Sequence, residues 1–197
     1  MDHLREIYPE PTPLARVKQL DRLDEHARAF IARSPFLVMA SADAEGNCDA
    51  SPRGDAPGFV AVRDDHTLLL PDRPGNNRVD SLANIATNPK VGLLFFVPGV
   101  LETLRVNGRA RFTTEATTLS GLEANERLPK SALEVTVEEV FFHCGKALKR
   151  SHLWDPSRHA APGELPSFGK ILADQTKKIE AREAEARIAH AYDTTLY

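Results

Sequence analysis

Thr67-Leu-Leu-Leu-Pro-Asp-Arg-Pro-Gly-Asn-Asn-Arg-Val-Asp-Ser-Leu-Ala-Asn-Ile-Ala-Thr-Asn-Pro-Lys-Val-Gly-Leu-Leu-Phe-Phe-Val97 changes its periodicity twice in one stretch. Thr67 to Leu70 is a short apolar run with the character of a strand. Pro71 to Arg78 is a loop of turn residues. Val79, Leu82, Ile85 and Ala86 then recur at helical spacing until Asn88-Pro89 stops the run, because a residue before proline is pushed out of the α region. Val91 to Val97 is apolar throughout, as in a strand buried on both faces. A polar loop therefore opens a helix between two strands, and the rest of the chain is read around that unit.

On the N-terminal side, Phe36 to Ser41 and Cys48 to Arg53 flank the turn-forming Asp43 to Asn47 and predict a hairpin. Gly54, Pro57 and Gly58 interrupt, Phe59 to Val62 reads as a further strand, and Arg63 to Asp65 turns back. Leu14, Val17, Leu20, Leu23, Ala27, Phe30 and Ile31 predict one amphipathic helix ending at Ser34-Pro35. On the C-terminal side, Pro98-Gly99 turns, Glu102 to Phe112 alternates as a long strand, and Leu133 to Phe142 is the last strand. A short helical stretch follows Lys146 through Trp154, then a Pro-containing loop, then one charged helix from Ile171 to Ala191. Short strands with one helix in their midst predict a mainly β fold, a barrel with helices packed at its ends. Residues 1–35 read as an N-terminal helical segment and 36–154 as the barrel. Residues 155–197 read as a loop and charged helix packed on the barrel or on a partner.

The chain has 197 residues, 42% of them hydrophobic, enough for one domain with appendages. A formal charge of −3 gives no cationic surplus for a nucleic-acid backbone or an anionic membrane surface. No run approaches the roughly 18 apolar residues of a membrane span, and Met1 to Glu10 lacks a basic stretch followed by an apolar one. A soluble, cytoplasmic protein is expected, with Cys48 and Cys144 as reduced thiols.

The chemistry concentrates in Asp72-Arg-Pro-Gly-Asn-Asn-Arg78. A helix N-terminus exposes N–H groups that lack intrahelical partners and carries partial positive charge, so an anion placed there gains hydrogen bonds and a favourable field. Arg73, Arg78, Asn76 and Asn77 add donors, and the arginine fork suits phosphate. A plainer reading has Asn76 or Asn77 capping the helix, Gly75 permitting a left-handed turn and both arginines solvated. Ser51-Pro-Arg53 favours the anion site, because strand alternation sets Asp49, Ser51 and Arg53 on one face.

Ala50-Ser-Pro-Arg-Gly-Asp55, Leu68 to Arg78, Asn88-Pro-Lys-Val-Gly-Leu-Leu-Phe95, Leu104-Arg-Val-Asn-Gly-Arg-Ala110 and Phe141 to Arg150 occur in that order. In sequence and spacing they resemble the pyridoxamine 5′-phosphate oxidase-like family, and more narrowly an FMN-binding branch of it, over about Phe30 to Trp154. The resemblance implies a flavin-binding split β-barrel that dimerises, with flavin mononucleotide (FMN) in clefts between the two subunits of a homodimer. It implies a phosphate held by Ser51, Arg53, Arg73, Asn76, Asn77 and Arg78. The strand Thr103 to Asn107 would approach the flavin from the partner subunit with Thr103 and Arg105, and Lys146 and Arg150 would close the cleft. The Arg-x-Val-x-x-Lys strand and the C-terminal Trp with Arg-x-His of vitamin B6 oxidases have no clear counterpart here, so that reaction is not expected.

His143, Cys144, His152 and His159 match no common zinc spacing, and no metal is expected. Phe59, Phe95, Phe96, Phe141 and Phe142 read as core, and Glu102, Glu138 and Glu139 as solvent-facing. Flavin chemistry needs no protein nucleophile, because hydride passes to or from the ring itself. The expectation is an FMN-dependent oxidoreductase acting on an unnamed small molecule, with NADH or NADPH as electron donor. A flavin-binding module without turnover, or a relative using another phosphate-bearing cofactor such as a deazaflavin, would use the same loop.

Overall fold

The computed structural model describes residues 2–197. Seven strands are formed: β1 (Phe36–Ala42), β2 (Cys48–Gly54), β3 (Ala61–Asp64), β4 (Thr67–Pro71), β5 (Lys90–Phe96), β6 (Thr103–Thr113) and β7 (Ala132–His143). They make one antiparallel sheet in the order β2-β1-β5-β6-β7-β4-β3. Leu37 pairs with Phe95 and Phe95 with Leu104, while Met39 pairs with Leu93 and Leu93 with Val106. All six side chains are fully buried, so alternate residues of neighbouring strands point into one interior, as the twofold strand period requires. Leu68, Leu70, Val135 and Val140 complete it from β4 and β7.

The sheet curls. Arg53 at the end of β2 bonds Asp72 just after β4, although β2 is one edge of the sheet and β4 lies next to the other. β2 and β3 are not paired with each other, so the closure is incomplete. The molecule is a mainly β split barrel with flanking helices. Bending β6 and β7 needs a break in register between Asn107 and Gly108, and at Gly108 a Cβ would stand 2.1 Å from the Thr136 carbonyl oxygen. Only glycine fits that approach.

Helix α4 (Asp80–Thr87) follows the loop as its spacing predicts, and Ile85 joins the core. The single N-terminal helix expected from residue 14 to 31 is instead two pieces, α2 (Pro13–Val17) and α3 (Glu25–Arg33), preceded by a separate α1 (Asp2–Ile7). Leu20 forms an extended bridge to Val140, with N–H···O distances of 2.9 and 2.8 Å in the two directions, and Asp24 then caps α3. Joining the sheet outcompetes helix continuation there, and Leu14 and Val17 remain exposed despite their periodic spacing. The strand expected at Phe59 begins two residues later, because Phe59 N–H closes a turn onto the Ala56 carbonyl with Gly58 at φ 83°. The charged C-terminal helix is likewise two, α7 (Phe168–Thr176) and α8 (Ala181–Thr194), separated where Lys177 adopts a left-handed φ of 54°. A Cβ on Gly169 would meet Glu185 Cγ at 2.4 Å, so that glycine lets the two helices pack closely. Not foreseen was α5 (Ala116–Leu119) with its following 3₁₀ turn, which buries Leu119 and Leu122 against Leu69 and Ala132. Helix α6 (Lys146–Ser151) follows β7. Among the described residues no helix is long and apolar enough to cross a membrane.

Candidate functional site

Along β2 the side chains alternate as expected: Asp49, Ser51 and Arg53 are half-buried while Cys48, Ala50 and Pro52 are exposed. Ser51 and Arg53 pair with the buried Met39 and Leu37, which places them on the inward face at the barrel's open edge. Arg53 donates from Nη1 to Asp72 at 2.9 Å, and Arg73 from Nε to Asp55 at 2.6 Å, with both arginines largely shielded from solvent. The Tyr197 hydroxyl donates to the other Asp55 oxygen at 2.7 Å. Burial by itself would raise the Asp55 carboxyl, but hydrogen bonds from Tyr197, the Ala56 amide and Arg73 prevail and hold it below the usual carboxylate range. Arg53 Nε is buried and has no hydrogen-bond partner. A buried guanidinium N–H without an acceptor is uncommon and is what a bound anion would satisfy.

From Pro74 to Asp80 the loop is exposed up to the first turn of α4. Neither asparagine caps the helix. Asn76 instead accepts from the Arg78 amide at 3.1 Å, Asn77 takes a φ of 57°, and Val79 occupies the N-cap position at φ 54° with no side-chain cap. A β-branched residue in the left-handed region is strained, and it leaves the first-turn amides of α4 without a side-chain acceptor. Ser81 donates to Asp49 at 2.7 Å and ties the helix start to β2. The exposed Arg78 pairs with Asp80 at 2.8 Å. Each of the three arginines thus engages one carboxylate through one nitrogen and, among the described residues, keeps further N–H groups of its fork free of protein acceptors. Uncapped amides, spare guanidinium donors and one orphaned Nε make a donor set that fits a phosphate.

Thr103 and Arg105 lie elsewhere. Arg105 is the neighbour of the inward Leu104 and points out of the barrel, so one protomer does not place it beside Arg53. There Arg105 pairs with Glu139 at 3.1 Å and its guanidinium carbon stands 4.1 Å from the Phe141 ring centroid, with Lys18 Nζ 5.4 Å from the same ring. Gln19 and Asn107 also donate to Glu139, and Arg105 Nε is buried and unpartnered. Burial, followed by the positive charges of Arg105 and Lys18, lowers the affinity of His143 for a proton. Phe96 and Phe141 therefore belong to the half-buried outer face, whereas Phe95 is core as expected. Lys146 and Arg150 are exposed on α6, which packs against the β5–β6 turn through Gly145 and Leu101. Cys48 and Cys144 are free and exposed, and the described residues hold no group of three potential metal ligands.

The family model for pyridoxamine 5′-phosphate oxidase matches residues 23–144. The chain belongs to the pyridoxamine 5′-phosphate oxidase family. Among solved structures, HupZ from Group A Streptococcus is similar at 20% identity and a TM-score of 0.50, over 61% of this chain and 93% of that one. An FMN-binding protein from Syntrophomonas wolfei subsp. wolfei matches at 13% identity and a TM-score of 0.48, over 60% of this chain and 84% of that one. At such identities the likeness concerns the fold. No curated protein matches the chain.

Membership of the pyridoxamine 5′-phosphate oxidase family agrees with the barrel. Sequence reasoning missed Asp55, Asp72 and Tyr197, which clamp the arginines. Asp55 and Asp72 lie beside residues already singled out, and the excess of Asp among basic residues was the available signal. Tyr197 is 142 positions from Asp55 and carries no local signal.

Proposed function

We propose that this member of the pyridoxamine 5′-phosphate oxidase family is an FMN-binding flavoprotein, an oxidoreductase acting on a small molecule as a homodimer. The observation that carries the reading is the half-buried Arg53, its Nε unpartnered, on the strand tied by Asp49 to the uncapped start of α4. Ser51, Arg53, Arg73, Asn76, Asn77 and Arg78 would hold the phosphate. Bound FMN supplies hydride transfer, and the chain supplies binding, orientation and the electrostatics around the ring. Asp72 and Asp55 aim the Arg53 and Arg73 forks in advance, so fewer rotamers are lost on binding.

The outward placement of Arg105 supports a partner subunit's β6 as the second wall of the cleft, with Lys146 and Arg150 at its rim, whereas Thr103 is buried within its own protomer. On this reading the dimer is part of the site. NADH or NADPH is the proposed donor. The purified protein should show flavin absorption, or acquire it on adding FMN, and the flavin should bleach when NADH or NADPH is added without oxygen. A protein that takes up no FMN contradicts the reading; uptake without reduction by any donor reduces it to a flavin-binding module.

A further inference from the structure

From His3 to Arg22 every residue is exposed, yet the segment is organised. Thr12 accepts from the Ala15 amide at 3.3 Å and caps α2, while Glu10 pairs with Arg5 of α1 at 3.4 Å and with Arg16 of α2. Pro9, Pro11 and Pro13 fix φ and remove donors, which makes the connection between the two helices a stiff spacer. Helices of six and five residues are not stable alone, and exposed ion pairs add little. Leu4, Ile7, Tyr8, Leu14 and Val17 are between 56% and 77% exposed, without apolar cover among the described residues.

The root of this arm is fixed. Leu20 exchanges main-chain bonds of 2.9 and 2.8 Å with Val140, Lys18 Nζ donates to the Phe142 carbonyl at 2.6 Å, and Gln19 donates to Glu139 at 2.8 Å. β6 already occupies one edge of β7 from end to end, so Leu20 lies along the other edge. β7 and β6 therefore stand between the arm and its own β5, β1 and β2.

Those three strands have an apolar outer face. Val38 pairs with Pro52 on one side and Leu94 on the other, and Phe36 pairs with Phe96. Leu94 in turn pairs with Arg105 and Arg105 with Phe141, so the apolar row runs into the stack beside the arm's root. An antiparallel sheet with water on one face is polar on that face. The outward residues of β1 are instead Phe36, Val38, Ala40 and Ala42, none of them polar.

We infer that the arm of residues 3–17 of one protomer lies across the outer face of β1 and β5 of a second copy, its apolar side chains against the partner's Phe36, Val38, Leu94 and Phe96. Arm and face occur once on each chain and each lacks a cover, so a twofold pair of chains covers two faces with two arms and closes. A foreign protein seated on the arm would leave the sheet face bare. The arm contact rests on the homodimer reading and is independent of bound FMN.

Sedimentation equilibrium of the full-length protein tests it with Leu14→Glu and Val17→Glu, both outside the core, and with Leu165→Glu, in the exposed loop before α7, as the control. Each arm variant should raise the dimer dissociation constant at least tenfold, with the control within twofold of the parent. A photo-crosslinking amino acid in place of Leu14, in an equal mixture of isotopically light and heavy protein, should give mixed-isotope crosslinks that map to β1 or β5. A dimeric parent whose arm variants associate no more weakly than the control, crosslinks confined to one chain, or intermolecular crosslinks to other surfaces would overturn the arm contact and leave the homodimer standing. A monomeric parent would remove both. FMN uptake by the same samples separates either failure from a failure of the flavin reading.

Discussion

Arg53 is shielded by the barrel edge and held by Asp72, and its Nε has no acceptor among the described residues, a place the proposed phosphate would fill. Lysine keeps the charge but loses the planar fork. Arg53→Lys should therefore weaken FMN about tenfold by equilibrium dialysis, the loss of one charge-assisted hydrogen bond of about 1.5 kcal/mol. Arg78→Ala should weaken FMN more than Arg63→Ala, since Arg63 is engaged by Glu134 at 2.6 Å and Thr118 at 3.1 Å and supports the fold instead. Equal dissociation constants for those two variants would contradict the placement of the phosphate. Asp55 sets the behaviour in acid. Its folded carboxyl titrates below the ordinary 3.8, so its contribution to stability is complete above that pH and is lost as pH falls through the folded value. Urea unfolding should show Asp55→Asn destabilised at pH 7, with the gap to the parent protein narrowing as the pH falls below about 4. A gap that widens in acid would reverse the sign.

At the scale of elements, the bulge at Gly108 lets the two longest strands curve together. Gly108→Ala should cost about 3 kcal/mol or more in urea unfolding, because the methyl meets main chain rather than a movable side chain. A loss under about 1 kcal/mol would mean that the bend tolerates a side chain. Most strands were legible from alternation and turn residues, and α4 from its spacing between Arg78 and Asn88-Pro89. The split N-terminal helix was not. Its apolar spacing ran unbroken through Leu20, and what ended it was a main-chain bridge to Val140 in a strand 120 positions away, which no local pattern records. The break at Lys177 in the C-terminal helix was hidden similarly by helix-forming residues on both sides. For the site, the donors on β2 and in the loop could be read locally because alternation and helix starts are local. The clamping role of Asp55 and Asp72, and the arrival of Tyr197, are products of barrel closure.

Across the whole molecule, the inward donors around Arg53 and the outward group around Arg105 lie on opposite faces of one sheet, so a flavin touching both requires two copies of the chain. Arg105→Glu sets a second carboxylate beside Glu139 and breaks the stack on Phe141. Light scattering should find the parent protein dimeric and this variant shifted toward the monomer, with FMN binding weakened in parallel; an undisturbed dimer would remove the outer face of β6 from the interface. The phosphate site at the start of α4 is probed by parallel titrations of the protein with FMN and with riboflavin. Two or more charge-assisted hydrogen bonds at about 1.5–3 kcal/mol each predict that FMN binds at least about 100-fold more tightly than riboflavin. Equal affinity for the two, or no uptake of either, would contradict an anion site at the start of α4.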